Sequence, residues 1–160
     1  MASVLAERLH KPRDVVLGDL GGEALLSLLE GRISEFEYWR AITNEADWGI
    51  ASTELARMVR VQFRTAVPGM PQLLARLKGT RLVLLSDHGR EWFEYIKAHH
   101  EFLSVFEERF LSFEMGRTKR EPDTFRFVIR LTEGHGIASR IPTATSRCLD
   151  SSNLVSGRRR

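Results

Sequence analysis

The sequence predicts an α/β protein in which an N-terminal helical segment precedes a small parallel sheet. Three observations carry this. Through residue 66, apolar residues recur at three- and four-residue spacing between glycine and proline breaks. After Pro68-Gly69 the order becomes helix, short apolar run, helix, short apolar run, helix, which is the grammar of parallel strands joined by right-handed crossovers. The first apolar run, at 81–85, is continuous rather than alternating and has no hairpin turn after it, as in a central parallel strand.

In chain order, Val4, Leu5 and Leu9 begin a helical stripe that Lys11-Pro12 breaks. Val15, Val16 and Leu20 begin a second, interrupted by Gly21-Gly22; within it 15–17 is the one stretch of this half that also reads as a strand. Residues 24–30 form a short apolar helix stopped by Gly31. Ser34 and Glu37 have the spacing of a capping box and open a helix carrying Tyr38, Trp39 and Ile42. Ser52 is placed to cap the next helix, with Leu55, Met58, Val59 and Phe63 on one face. Pro71 suits the first turn of a helix containing Leu73, Leu74 and Leu77, which Gly79 ends. A helix over 90–98 follows the first strand, residues 110–113 read as the second strand, and Pro122 starts a helix through Thr132. Past Gly134 the helical stripe dissolves into Ser, Thr and Arg. The predicted organisation is therefore a helical segment at 1–66, an α/β core at 67–133 and an irregular basic tail at 134–160, with no internal repeat.

Composition narrows the class. With 42% apolar and 28% charged residues in 160, the chain can bury a core and is not of disordered type. No apolar run approaches the roughly 18 residues of a membrane span, and the N-terminus lacks the apolar stretch of a secretory signal. The single cysteine, Cys148, precludes an internal disulfide and suits a reducing, cytoplasmic setting. The net charge of +3 is uneven: residues 134–160 hold five arginines against Asp150 alone, so the other 133 residues sum to −1. A nucleic-acid binder spreads basic charge over a folded face, so the expected partner is not nucleic acid.

The candidate chemistry lies where the strands end. Ligands of open α/β sheets bind outside the carboxyl ends of strands, and Ser86-Asp87-His88-Gly89 lies at such an end, just before a helix. Backbone amides and the Ser86 hydroxyl there form a natural cradle for phosphate, with Asp87 and His88 as further contacts. The competing reading is that Ser86 or Asp87 only caps the helix. The second strand leads into a loop, 114–122, bent by Gly116 and carrying Lys119, whose ammonium has the reach to neutralise a phosphate. Alone, Lys119 also reads as a solvated loop residue.

Together the two loops, LLSD and GRTKREPDTF separated by about 30 residues, resemble the haloacid-dehalogenase superfamily, over about residues 5 to 133. The resemblance implies that Ser86 hydrogen-bonds a transferring phosphoryl group and that Lys119 neutralises the phosphate and a nucleophilic aspartate. It implies that LLEGRISEFEYWRAI belongs to a helical cap and that the sheet is an incomplete Rossmann-like core. The match departs at Arg120, where the family commonly has proline; here proline follows as Pro122. The implied activity is hydrolysis of a small phosphomonoester through an aspartyl-phosphate, assisted by Mg²⁺, on a small phosphorylated metabolite.

Two family elements are weak. The nucleophilic aspartate should follow a first strand, and Asp19 in VVLGDLGG is the candidate; the alternative is that 11–17 starts a helix after proline, with the chain beginning inside the cap. The acidic motif that holds Mg²⁺ is matched only by Asp150, and a lone carboxylate holds Mg²⁺ poorly. The change after Gly134 reads as a truncated or frame-shifted end. The expectation is thus a weakly active or inactive chain, or a non-catalytic phosphate-binding or protein-interaction module that self-associates through its incomplete sheet. No elbow motif surrounds Ser86 as a hydrolase nucleophile requires. Adjacent His99 and His100 diverge on a helix rather than chelate, and Trp39, Trp48 and Trp92 read as packing aromatics.

Overall fold

The computed structural model of the protein describes residues 2–46, 48–77 and 79–133. Five helices come first: α1 (Ala2–Leu9), α2 (Arg13–Leu20), α3 (Gly22–Leu29), α4 (Glu35–Ala46) and α5 (Ser52–Gln62). Then follow α6 (Met70–Arg76), strand β1 (Val83–Ser86), α7 (Arg90–His99), a 3₁₀ turn (Glu101–Val105), strand β2 (Glu108–Leu111), a one-turn helix α8 (Ser112–Met115) and α9 (Pro122–Glu133). The described chain is mostly helical, with one small parallel sheet, and so belongs to the α/β class. Asp150, Cys148 and the basic tail lie outside the described residues.

Local chemistry accounts for most boundaries. The Ser34–Glu37 capping box forms: the Ser34 N–H donates to Glu37 Oε2 at 2.8 Å and the Glu37 N–H donates to Ser34 Oγ at 3.3 Å. The Ser34 N–H and, with it, the Ser34 hydroxyl, each donating to Glu37 Oε2 at 2.8 Å, hold the exposed Glu37 carboxyl below its usual range. Pro12 stands immediately before α2, whose helical span includes 15–17, so the strand alternative there is corrected. Ser52 is the first residue of α5 rather than its cap; Ala51 holds the cap position. The second strand lies two residues earlier than the sequence predicts: Ser112 and Phe113 turn into α8, and 108–111 pair with β1.

β1 and β2 run parallel, in register from Val83 against Glu108 to Ser86 against Leu111. Side chains alternate across the sheet. Leu84 and Leu111 pack with Phe93 of α7 and with Phe113 on one face; Val83, Leu85 and Phe110 pack with Val128 and Leu131 of α9 on the other.

The helical half has its own core, built from Leu5, Val16, Leu20, Leu28, Tyr38, Trp39, Ile42, Leu55 and Val59. Trp92 of α7 completes it. The fully buried Tyr38 hydroxyl donates to the Leu20 carbonyl at 2.7 Å, and burial pushes its ionisation far above the ordinary tyrosine range. Beside it, buried Glu35 accepts the indole N–H groups of Trp39 at 3.2 Å and Trp92 at 2.9 Å, and the Arg60 guanidinium. One carboxyl group thereby satisfies donors from α4, α5 and α7. Gly31, at φ 71°, lets α3 approach the sheet half so closely that a Cβ would meet the Phe113 carbonyl oxygen at 2.5 Å.

Candidate strand-end site

Parallel pairing puts Ser86 and Leu111 side by side, so the segments leaving both strands emerge at the same end of the sheet. They are then bonded to each other. The Lys119 backbone N–H donates to Asp87 Oδ1 at 3.0 Å and to Oδ2 at 3.3 Å. The His88 N–H donates to Ser112 Oγ at 3.1 Å, and the Ser112 hydroxyl donates back to the His88 carbonyl at 3.3 Å. Ser112 is fully buried, so this reciprocal pair is sheltered from competing water.

The loop that carries Lys119 is held from its other side too. Gly116 ends α8 in the left-handed conformation at φ 66°. The Thr118 N–H donates to Glu121 Oε1 at 3.1 Å, and the Thr124 hydroxyl of α9 donates to the Thr118 carbonyl at 2.7 Å. Pro122 then opens α9, where a missing N–H costs nothing. Residues 116–121 thus form a six-residue loop anchored at both ends.

Of the residues singled out by sequence, Ser86 and Lys119 keep their functional groups available. Ser86 is the half-exposed last residue of β1, and its hydroxyl has no hydrogen-bond partner among the described residues. Lys119 is exposed, and its ammonium likewise has none. Neither Ser86 nor Asp87 caps α7: Gly89 holds that position and no side chain bonds the first turn. The first-turn amides of α7 therefore have no side-chain cap, and the cap residue Gly89 is itself buried against Leu28.

Asp87 and His88 make contacts within the protein. The Asp87 carboxyl accepts the Lys119 amide and works as the tie between loops. The His88 ring faces inward, with its centroid 6.0 Å from Phe63 and 6.3 Å from Phe93, and its Nδ1 is buried without a partner. Burial, and secondarily the charge of Lys119, lower its pKa against a smaller raising effect of Asp87. A ring held neutral in this way adds no positive charge for phosphate.

Asp19 lies on α2, where its Oδ2 accepts the Trp48 indole N–H at 3.0 Å and stands 3.9 Å from the Lys11 ammonium. The structure thus joins it to the helical half and not to the strand ends. The Mg²⁺ expectation meets a poor donor set. No group of three or more His, Cys, Asp or Glu among the described residues is arranged to hold a metal ion. The Asp87 carboxyl is already engaged, and Asp150 lies outside the described residues.

Sequence reasoning missed Ser112, Thr118 and Glu121. Ser112 had a signal, a small hydroxyl residue following the apolar pair Phe110-Leu111, but it reads equally as strand. Among the comparisons with known proteins, no protein-family model matches the chain and no curated protein matches it.

Proposed function

We propose that the strand ends form the phosphate-recognising part of a haloacid-dehalogenase-type site, and that the chain binds a small phosphomonoester there. The observation that carries the reading is the Lys119 amide bond to Asp87. It holds the serine loop and the lysine loop together while leaving the Ser86 hydroxyl and the Lys119 ammonium without partners among the described residues. In this arrangement Ser86 donates to a phosphoryl oxygen, the uncapped amides of α7 add donors, and Lys119 supplies the opposing charge. The same reading treats the two-stranded sheet as part of a Rossmann-like core and α1–α5 as its cap, in a cytoplasmic protein.

Hydrolysis through an aspartyl-phosphate also needs a carboxylate aimed at phosphorus. Asp87 and Glu121 are each bonded to a backbone amide, and Asp19 is held by Trp48. Binding with little or no turnover is the consequence.

Calorimetric titration of the full chain with inorganic phosphate and with tungstate tests the binding. Saturable binding is expected, weakened about tenfold by Ser86→Ala and by Lys119→Ala. Absence of binding refutes the site. Hydrolysis of p-nitrophenyl phosphate that requires both Mg²⁺ and Lys119 refutes the claim of little turnover.

A second reading, self-association, is favoured by the sheet and by α9. Each strand pairs along one edge only among the described residues, and Phe125 and Ile129, one turn apart on α9, are 50% and 51% exposed. Light scattering on a dilution series tests it; a monomer at every concentration overturns it. No helix among the described residues is long and apolar enough to cross a membrane.

A further inference from the structure

A cleft of about 500 Å³ lies between α4, α5 and α7, on residues that the strand-end site does not use. Its size is within the range of about 300–1,000 Å³ typical of small-molecule sites. Phe36, Trp39, Ala56, Val61 and Tyr95 supply apolar surface, and Phe36 is 58% exposed.

The polar lining is unequal. Arg57 and Arg60 on α5, and Arg64 in the turn that follows it, face two carboxyl side chains, Glu35 and Glu91. Arg60 is bound by Glu35, and the Arg64 Nε–H donates to the Tyr95 hydroxyl at 2.7 Å. Arg57 has no ion-pair or hydrogen-bond partner among the described residues. Glu91 has the complementary deficit, for its Oε2 is buried and accepts no hydrogen bond. That oxygen has no surface open to the cleft, so it meets a ligand donor only once the Glu91 side chain turns outward, and the contact then satisfies an acceptor whose unmet bond costs about 1–3 kcal/mol.

We propose that this cleft binds a small organic anion with an aromatic body and an N–H or O–H donor. The anionic group pairs with Arg57, the ring lies against Phe36, Trp39 and Tyr95, and the donor meets Glu91 Oε2. The floor is preorganised, since Glu35 is locked by two indoles and Arg60, so binding costs little reordering.

Indole-3-acetate carries all three features, and 1-naphthaleneacetate lacks only the N–H. Titrations of the full chain, followed by calorimetry and by amide chemical shifts, should give saturable binding of indole-3-acetate below about a millimolar. The naphthalene acid should bind more weakly, and the shifts should fall on α4, α5 and α7. Arg57→Ala should weaken both probes about tenfold, while Arg76→Ala on α6 should leave them unchanged. Glu91→Ala should erase the preference for indole. The proposal is overturned by absence of saturable binding, by shifts elsewhere, by equal losses in the two arginine variants, or by an indole preference that survives Glu91→Ala.

Discussion

Replacing Glu35 with alanine should destabilise the protein by about 3–5 kcal/mol. The carboxyl group is 2% exposed and accepts from Trp39, Trp92 and Arg60. Alanine leaves two indole N–H groups in the core without acceptors, at about 1–3 kcal/mol each. Arg60 adds little, because its side chain is 38% exposed and can rehydrate. A residual cavity adds to the cost, while the shared environment makes the terms less than additive. Glu35→Gln retains an acceptor oxygen at the same place and should cost about 1–2 kcal/mol. Urea unfolding followed by tryptophan fluorescence reads the difference directly, since two of the three tryptophans donate to this carboxyl. With a slope of about 1–3 kcal/mol per molar urea, the alanine variant should unfold roughly 2 M earlier, with glutamine in between. An alanine variant within about 0.5 kcal/mol of the native protein would refute the claim that this carboxyl joins α4, α5 and α7.

Three further outcomes follow from the geometry. Gly31→Ala should cost at least about 3 kcal/mol in the same urea assay, because strain at φ 71° adds to a clash with the Phe113 carbonyl. Gly49→Ala, at φ 63° with nothing near its Cβ, should cost only about 1 kcal/mol; equal costs would refute the close approach. The His88 pKa lies below its ordinary value of 6.5, so the unfolded chain takes up this proton first as pH falls. The associated stability is present above pH 6.5 and is lost as pH falls from there through the folded pKa. His88→Phe should flatten that part of the pH profile, and an NMR titration placing the His88 pKa at or above 6.5 would contradict the burial argument. Asp87→Ala should weaken phosphate binding although it removes a negative charge, and Asp87→Asn, which keeps an acceptor for the Lys119 amide, should restore most of it; tighter calorimetric binding by Asp87→Ala would show that the tie has no role.

What could be read from the sequence divides by the range of the interaction responsible. The Ser34–Glu37 cap, the break at Pro12 and the start of α9 at Pro122 depend on neighbours within a few residues, and all are legible. The parallel pairing of β1 with β2 is legible from two apolar runs separated by a helix. The end of β2 is not, because Phe110-Leu111-Ser112-Phe113 has an acceptable strand pattern. The one-turn helix there is secured by Ser112 bonding to His88, 24 positions away. Asp87 reads as a cap or a phosphate contact until the Lys119 amide, 32 positions on, is brought to it. Glu35 is harder still. It lies inside a correctly read capping box, yet two of its donors, Arg60 and Trp92, come from 25 and 57 positions on. The placing of Ser86 at the end of the first strand and of Lys119 in the loop before α9 was legible, and the ties that hold these segments together were not.

Trp92 and Phe93 are consecutive residues of α7 that enter two different cores, one with the helical half and one with the sheet. Severing the exposed backbone at Thr65 would therefore give two pieces, neither holding all the side chains that fill its own interior. The amino-terminal piece would lack the indole that shares Glu35, and the remainder would display that indole without its acceptor. Such halves are suited to reassembly when mixed, with recovery of buried tryptophan fluorescence as the signal, making α7 the natural latch of a split protein.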